Sequence, residues 1–254
     1  MKIALIQAPV WGISAPPLAL ASLSAYLRRR GHEVLVLDLN IELYKRRTKE
    51  NADIWQAVAA VNPNCNSGIP AGFAEDNKDY LQEQADRILA GGAKVVGFSI
   101  HQSSTAVSLY LAKLLKRKNK KIIIVFGGIE ARKNAADSTL FGDENVDFFV
   151  QGEGELTLTD IVENKKAGDF CKGALIRRNG KLIDCGDRDL IKDLDSLPIP
   201  DFSDYDLNDY AGPGSRSPSA GAAVITAFFA PSAFIGEGSG PGPPGISTAS
   251  WYSR

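Results

Sequence analysis

Short runs of apolar residues alternate along the first two thirds of the chain with longer segments whose apolar residues recur at helical spacing. A continuous apolar run of this length suits a strand that is buried on both faces of a parallel sheet. Strands that alternate with helices predict a doubly wound α/β sheet. The five runs predicted as strands are residues 2–7, 33–38, 95–100, 122–126 and 146–151.

The helical segments carry start and stop signals that agree with this order. The first helix is predicted to begin near Leu18, after a loop rich in proline, and to end where three arginines precede Gly31. Cations and a glycine suit the carboxyl end of a helix. Further helices are predicted over residues 41–49, 75–90, 105–117 and 155–163.

The pattern changes after Gly168. Two short runs joined by Asn179-Gly180 predict a β-hairpin over residues 174–185, and prolines predict an extended linker over residues 193–204. The predicted organisation is a Rossmann-like domain of mostly parallel strands over residues 1–168 and a hairpin and linker over residues 169–210. From Ala211 to the last residue, 254, glycine, serine, proline and alanine dominate, which predicts a disordered tail.

Glycines follow the fourth and fifth predicted strands directly, at Gly127-Gly128 and at Gly152-Glu153-Gly154. Ligands of open α/β sheets bind at the carboxyl ends of the strands, and glycine there lets a ligand approach the backbone. Small hydroxyl and amide side chains follow the third strand. The sequence therefore predicts a rim of loops that holds a large planar or polar ligand. The loops are residues 8–17, 99–104, 126–130 and 152–155.

Composition excludes several classes of partner and chemistry. A formal net charge of -1 gives no electrostatic basis for binding nucleic acid, and no apolar run approaches the length of a membrane span. The three cysteines, Cys65, Cys171 and Cys185, are widely spaced and odd in number, so they indicate neither a metal site nor a disulfide framework. We expect a cytoplasmic protein without metal ligands of its own, and the oligomeric state stays open.

No catalytic constellation is visible either. The chain has two histidines, no phosphate-loop lysine motif and no Gly-x-Gly-x-x-Gly after the first strand, so no catalytic residue is predicted. For two residues on the rim, the sequence also fits a purely structural role. Ser99 fits a small polar residue satisfied inside the sheet as well as a ligand contact, and His101 fits the entry of a helix.

Five longer motifs stand in the first helix, at the strand ends and in the linker. They are Pro16-Pro17-Leu18-Ala-Leu-Ala-Ser-Leu-Ser-Ala-Tyr-Leu27 with Gly31-His32-Glu33-Val34, Val96-Gly-Phe-Ser99, Phe126-Gly-Gly-Ile-Glu-Ala131, Val146-Asp-Phe-Phe-Val-Gln-Gly-Glu-Gly-Glu155, and Leu194-Asp-Ser-Leu-Pro-Ile-Pro-Asp-Phe202. Together they resemble the amino-terminal part of cobalamin-dependent radical S-adenosylmethionine enzymes, over roughly residues 1–210.

The resemblance implies a Rossmann-like domain that binds cobalamin. Ser99 with the residues after it, and Gly127-Gly128, match loops that embrace the corrinoid cofactor in that family. Combined with the rest of the rim, this gives thirteen candidate cofactor-binding residues. They are Pro16, Pro17, Leu18, Ser99, His101, Gln102, Ser103, Gly127, Gly128, Ile129, Gly152, Glu153 and Gly154.

One feature of classical cobalamin domains is missing. The Asp-x-His-x-x-Gly motif, which supplies a histidine ligand to cobalt, is absent after the first strand, where the loop runs from Pro9 to Pro17. We therefore expect cobalamin without a protein histidine on its cobalt. The same absence leaves an alternative open, an α/β small-ligand or interaction module that keeps the fold without binding cobalamin.

The tail departs from the family. Intact members continue into a barrel whose Cys-x3-Cys-x2-Cys motif holds a [4Fe-4S] cluster that cleaves S-adenosylmethionine, with cobalamin assisting methyl transfer or rearrangement. No cysteine follows Cys185 here, so three thiolates cannot be supplied, and we expect the chain alone to be inactive.

A frameshift would explain this departure. In the shifted frame, the codon junctions from Ser219 to Ala230 permit Ser-Arg-Gly-Cys-x-x-x-Cys-x-Phe-Cys, which has the spacing of the family's cluster motif. The hypothesis is a frameshift near residues 211–214 and a chain truncated before that motif. A natural flexible tail is the alternative.

Overall fold

The structure is a computed structural model that describes residues 1–48, 51, 53–56, 69–133, 138–164 and 171–210. The predicted tail, residues 211–254, lies outside the described residues, and so does part of the predicted helix over residues 41–49. Seven strands form one sheet in the order β2-β1-β3-β4-β5-β6-β7. They are β1 Lys2–Gln7, β2 Glu33–Asp38, β3 Val95–Ser99, β4 Ile123–Gly127, β5 Phe148–Val150, β6 Ala174–Arg178 and β7 Lys181–Asp184.

Among the described residues, α-helices separate β1, β2, β3 and β4, two 3-10 helices lie between β4 and β5, and the last α-helix follows β5. The α-helices are named here in chain order. They are α1 Leu18–Arg29, α2 Leu39–Lys45, α3 Phe73–Asp76, α4 Lys78–Ala90, α5 Thr105–Lys118 and α6 Gly154–Asn164. The single helix predicted over residues 75–90 is two helices, because the chain leaves helical geometry at Asn77, whose side-chain amide donates to the carbonyl of Phe73 at 2.8 Å.

The mostly parallel α/β prediction is confirmed, but its count of five strands is wrong. β1 to β5 pair in parallel, and the hairpin β6–β7 joins the same sheet, because β6 pairs antiparallel with β5. The Arg177 guanidinium fastens the hairpin by donating to the carbonyls of Phe141 at 2.6 Å and Val146 at 3.0 Å. The predicted hairpin extension is therefore the antiparallel edge of the main sheet.

Two apolar layers cover the two faces of the sheet. Alternate residues of each strand point to opposite faces, so Leu5 packs in one layer and Ile6 in the other. Leucines of α1 and α6 complete the layer that holds Leu5. Residues of α4 and α5 complete the layer that holds Ile6. Because β1, β3, β4 and β5 pair in parallel, their carboxyl ends lie along one edge of the sheet.

The linker, residues 193–210, returns along α1 to that same edge. Arg28 on α1 donates to Asp201 at 2.5 Å and to both carboxylate oxygens of Asp204 at 2.8 and 2.9 Å. At its end, the Tyr210 hydroxyl donates to Asp38, the last residue of β2, at 2.8 Å. The linker is thus held by α1 at its middle and by the end of β2 at Tyr210.

Candidate functional site

The loop after β1 is fixed by one buried amide. Asn40 Oδ1 accepts from the Trp11 backbone N–H and from Trp55 Nε1, each at 2.8 Å, and its Nδ2 donates to the carbonyls of Trp11 and Gly12. The Ser103 hydroxyl donates to the carbonyl of Val10 at 2.7 Å. These contacts join the loop after β1 to the end of β2 and to the loop after β3.

An aromatic pair lies where the loops after β1 and β3 meet. The rings of Trp11 and His101 stack with their centroids 3.5 Å apart and their planes 12° from parallel. Burial lowers the pKa of His101 to about 4, so its imidazole is neutral at neutral pH. The site offers no cationic histidine to an anionic ligand.

The loop after β4 lies against the backbone that follows β3. Ile100 N–H donates to the carbonyl of Gly127 at 2.7 Å. Gly128 has a φ of +96°, and a Cβ there would lie 2.7 Å from the Ile100 carbonyl oxygen. Both the left-handed backbone and the close approach require glycine at this position.

A cavity of about 260 Å³ opens beneath these strand ends, on the face covered by α1 and α6. Its wall is formed by residues of the four strands β1, β3, β4 and β5 and of the helices α1 and α6, together with the glycine-rich loops. The lining residues are Leu5, Ala19, Leu20, Leu23, Gly97, Phe98, Ser99, Val125, Gly127, Gly128, Val150, Gly152, Glu153, Gly154, Glu155 and Leu158.

The cavity exists because small residues stand on one face of the sheet. Gly97, Ser99 and Gly127 lie on the same face as Leu5, since side chains alternate between the two faces along each strand. A Cβ at Gly127 would meet only the Val150 Cβ at 3.8 Å and the Phe98 carbonyl oxygen at 3.9 Å, both ordinary contacts. Glycine at 127 is therefore not forced by crowding, and its effect is to keep the cavity open.

Two carboxylates stand in the otherwise apolar wall, in the turn between β5 and α6. Glu153 Oε2 accepts from the Ile191 backbone N–H at 2.7 Å, so it ties the segment before the linker to the cavity. Burial raises the pKa of Glu155, backbone N–H groups of its own turn lower it, and the nearby charge of Glu153 raises it further. A carboxylate in such a position favours a ligand that donates a hydrogen bond.

The structure divides the thirteen predicted site residues into two groups. Six line the cavity: Ser99, Gly127, Gly128, Gly152, Glu153 and Gly154. The other seven do not line it. They comprise Pro16, Pro17 and Leu18 at the start of α1, His101, Gln102 and Ser103 at the start of α5, and Ile129, which is 42% exposed.

Sequence reasoning missed the apolar wall that α1 and α6 contribute. Leu20, Leu23 and Leu158 look like ordinary core positions in a helical pattern, and nothing local marks them as facing a cavity. Gly97 did carry a signal, because a glycine inside a strand marks a close approach or a missing side chain. A Cβ there would lie 3.1 Å from Leu5 Cδ2.

The described part of the chain carries neither a cluster of metal-ligating side chains nor a helix that could span a membrane. There, no group of three or more histidine, cysteine, aspartate or glutamate residues is placed to hold a metal ion. Cys171 and Cys185 are free and buried, while Cys65 lies outside the described residues. None of the described helices has the length and apolarity needed to cross a membrane.

The middle of the chain matches a known protein family. Residues 71–162 match the B12 binding domain family, and this segment contains β3, β4, β5 and the glycine loops of the cavity. This segment is therefore similar to a B12 binding domain. The match confirms the resemblance that the sequence motifs indicated for this domain.

Two curated relatives extend the similarity beyond this domain. One is an uncharacterized methyltransferase of Pyrococcus horikoshii, 26% identical over 84% of the chain. The other is an anaerobic magnesium-protoporphyrin IX monomethyl ester cyclase of Synechocystis, 25% identical over 79% of the chain. The chain spans 41% and 34% of the lengths of these relatives.

Among solved structures, similarity extends to the radical S-adenosylmethionine methyltransferase TsrM from Kitasatospora setae. Two of its structures align with 73% of this chain and 30% of that chain, at 16% sequence identity and a TM-score of 0.46. One contains tryptophan and an S-adenosylmethionine analogue, and the other contains cobalamin and a [4Fe-4S] cluster.

Proposed function

We propose that this chain is the corrinoid-binding module of a radical S-adenosylmethionine-type enzyme, and that cobalamin is the corrinoid. The observation that carries the proposal is the apolar cavity beneath the carboxyl ends of β1, β3, β4 and β5, whose β3, β4 and β5 side lies in the segment that matches the B12 binding domain. Ligands of open α/β sheets bind at this edge, and glycines at 97 and 127 keep the cavity free of side chains.

The residues present fit one part of cobalamin well. Cobalamin carries a flat bicyclic benzimidazole on a nucleotide tail, and a narrow apolar cavity of about 260 Å³ suits such a group. The corrin ring would then lie over the loops after β1, β3 and β4, where the other predicted residues stand. The Ser99 hydroxyl in the wall would offer a hydrogen-bond donor to the benzimidazole.

The positions of the two histidines support the proposal that no protein histidine binds the cobalt. His32 lies before β2, at the opposite end of the sheet, where it contacts the amino group of Met1. His101 stands on the rim, but its ring is half-buried and stacked on Trp11. The proposal therefore keeps cobalt free of both histidines.

The remaining functions belong to the larger enzyme in this proposal. The cluster and S-adenosylmethionine would act in a separate catalytic part, and this chain alone would hold the corrinoid without performing the radical step. The free buried thiols of Cys171 and Cys185 support a reducing, cytoplasmic setting. Residues 1–168 and the edge hairpin would form the binding unit, and the linker would lead toward the catalytic part.

An absorbance titration with hydroxocobalamin tests the proposal. The chain is expected to retain corrinoid after desalting and to shift its spectrum. Gly127→Val should lower the affinity by about tenfold or more, because its methyl groups would occupy the cavity. Gly142→Val is the matched control, since a Cβ at Gly142 meets nothing within 4 Å and this residue does not line the cavity.

Two outcomes would decide against the proposal. If the folded wild-type chain retains no corrinoid and shows no spectral change, the chain is an α/β module that keeps the fold without this ligand. If corrinoid binds but Gly127→Val and Gly142→Val bind equally well, the tail does not enter the cavity. Thermal melts of both variants establish that they are folded. Ser99→Ala supplies a second, smaller change in the wall.

A further inference from the structure

The segment that leads from the hairpin into the linker is attached to both helices of the cavity wall. We call this segment, residues 188–204, the strap. The helices α1 and α6, which form the wall opposite the sheet, meet at Leu23 and Gly154, where a Cβ on the glycine would lie 3.1 Å from Leu23 Cδ2. Both residues line the cavity, so the positions of the two helices determine how tightly the wall closes on a ligand.

The first part of the strap is attached to the α6 side of the wall. The backbone N–H of Ile191 donates at 2.7 Å to Glu153 Oε2, and Glu153 lines the cavity in the turn before α6. The Arg188 guanidinium pairs with Asp160 on α6 and donates to the carbonyl of Lys172 at 3.0 Å. These contacts fix the beginning of the strap relative to α6.

The last part of the strap is attached to α1. The backbone N–H of Asp201 donates at 3.0 Å to the carbonyl of Ala21, the residue after the cavity-lining Leu20. Further along the same helix, Arg28 donates to the carboxylates of Asp201 and Asp204. The strap therefore bridges the two helices that form the wall.

Polar contacts, rather than apolar packing, hold the strap in place. A second cavity of about 490 Å³ lies between the strap and the helices, and Tyr26 of α1 and Leu156 of α6 are among its lining residues. The strap side chains of Leu190, Leu194 and Ile199 are 71%, 56% and 85% exposed. Segments with few buried apolar contacts open locally at a low cost in free energy. The strap is thus an element with a closed and an open state.

We propose that the strap is coupled to the cavity, so that a nucleotide tail in the cavity holds the strap closed and an open strap weakens binding of the tail. A flat group in the cavity contacts α1 and α6 from the inside, and the closed strap fixes the same two helices from the outside. Both therefore favour one arrangement of the wall, and such a coupling is reciprocal.

The inference rests on the proposed function, because it assumes that the nucleotide tail of a corrinoid enters the cavity. It goes beyond that function by making the position of the linker depend on whether the module is loaded. The part of the enzyme to which the linker leads would then respond to the loaded module and not to the empty one.

Hydrogen–deuterium exchange tests the effect of the ligand on the strap. The folded chain is saturated either with cobalamin or with cobinamide, a corrinoid without the lower nucleotide. Exchange in peptides that contain Ile191 and Asp201 should be about fivefold slower with cobalamin, because both N–H groups donate to the cavity wall. The hairpin, residues 174–184, is the internal control, and its exchange should be the same with both corrinoids.

Binding measurements test the reverse effect. Arg28→Ala, whose side chain lies outside the cavity, should weaken cobalamin binding about fivefold in equilibrium dialysis and leave cobinamide binding unchanged. Asp204→Ala removes the same ion pair from the strap side and should behave alike, which keeps the test decisive if Arg28→Ala does not fold. The matched control is Arg46→Ala, because Arg46 pairs with Glu83 at the surface and lines neither cavity. Thermal melts establish that each variant is folded.

The outcomes separate this inference from the proposed function. If the wild type binds neither corrinoid, both are overturned. Equal affinities for cobalamin and cobinamide would place the tail outside the cavity, which overturns the coupling and leaves corrinoid binding standing. Tighter binding of cobalamin with unchanged exchange in the strap, or with unchanged affinity in the Arg28 and Asp204 variants, overturns the coupling alone. A loss in Arg46→Ala as large as in Arg28→Ala also contradicts it.

Discussion

Single residues hold the rim of the site together, and Asn40 is the clearest case. Its amide is fully buried and satisfies the backbone of the loop after β1 together with the indole N–H of Trp55. Nothing in the local sequence around Asn40 indicates this role. The pairing is tertiary, since 29 positions separate Asn40 from Trp11 along the chain.

Replacing this amide should be costly. Asn40→Ala leaves the Trp11 N–H and Trp55 Nε1 buried without acceptors, so we expect the free energy of unfolding to fall by about 2–4 kcal/mol. Denaturant melts measure the loss. Asn208→Ala, which removes an exposed contact with Asp206, is the matched control and should cost about 0.5 kcal/mol or less. Equal losses in the two variants would show that Asn40 has no such role.

Asp38 gives a pH dependence of definite sign. Burial raises the pKa of this carboxyl from 3.8 to about 6, against hydrogen bonds from Ile41 N–H and the Tyr210 hydroxyl that lower it. The folded state therefore binds the proton more tightly than the unfolded state. The stability that Asp38 contributes is complete below its unfolded pKa of 3.8 and is lost as pH rises through about 6.

The variant Asp38→Asn isolates this effect. On going from about pH 7.5 to about pH 4.5, the wild type should gain about 1–3 kcal/mol of unfolding free energy relative to Asp38→Asn. Denaturant melts of the two proteins across that range measure the difference. A difference that stays constant with pH would mean that Asp38 titrates normally in the folded chain.

At the scale of elements, the linker is held by ion pairs whose partners are far apart in sequence. The prolines predicted an extended segment over residues 193–204, but Leu194–Ser196 form a short 3-10 helix within it. No local pattern could pair Asp201 and Asp204 with Arg28 on α1. The hairpin likewise combines a feature with a local sequence signal and a contact without one. Its Asn-Gly turn is a local signal and was predicted, whereas its pairing with β5 depends on partners that local sequence does not specify.

Removing the Arg28 side chain should release the linker. Arg28→Ala breaks hydrogen bonds to both carboxylates and to the carbonyl of Val34, and we expect a loss of about 1–2 kcal/mol and faster proteolysis within residues 193–210. Arg30→Ala is the matched control, because Arg30 pairs with Glu163 on α6 and does not contact the linker. Unchanged cleavage of the linker in Arg28→Ala would contradict this account.

At the scale of the molecule, one edge of the sheet gathers the features that the proposal needs. The cavity, the glycine loops and the stacked pair of Trp11 and His101 lie at the carboxyl ends of the strands, and the linker ends beside Asp38 at the end of β2. The alternation of strands and helices and this edge were predictable, because buried strands and terminal glycines leave local signals. The cavity was not, because it arises where α1 and α6 meet small residues from separate strands.

The most direct test of the central claim is the electron paramagnetic resonance spectrum of cob(II)alamin bound to the folded chain. If the nucleotide tail lies in the cavity and no protein histidine reaches cobalt, the lower axial position holds no nitrogen, and the cobalt signal should lack nitrogen superhyperfine splitting. A bound cofactor whose signal keeps that splitting would contradict the account. It would place either the benzimidazole or a histidine on the cobalt.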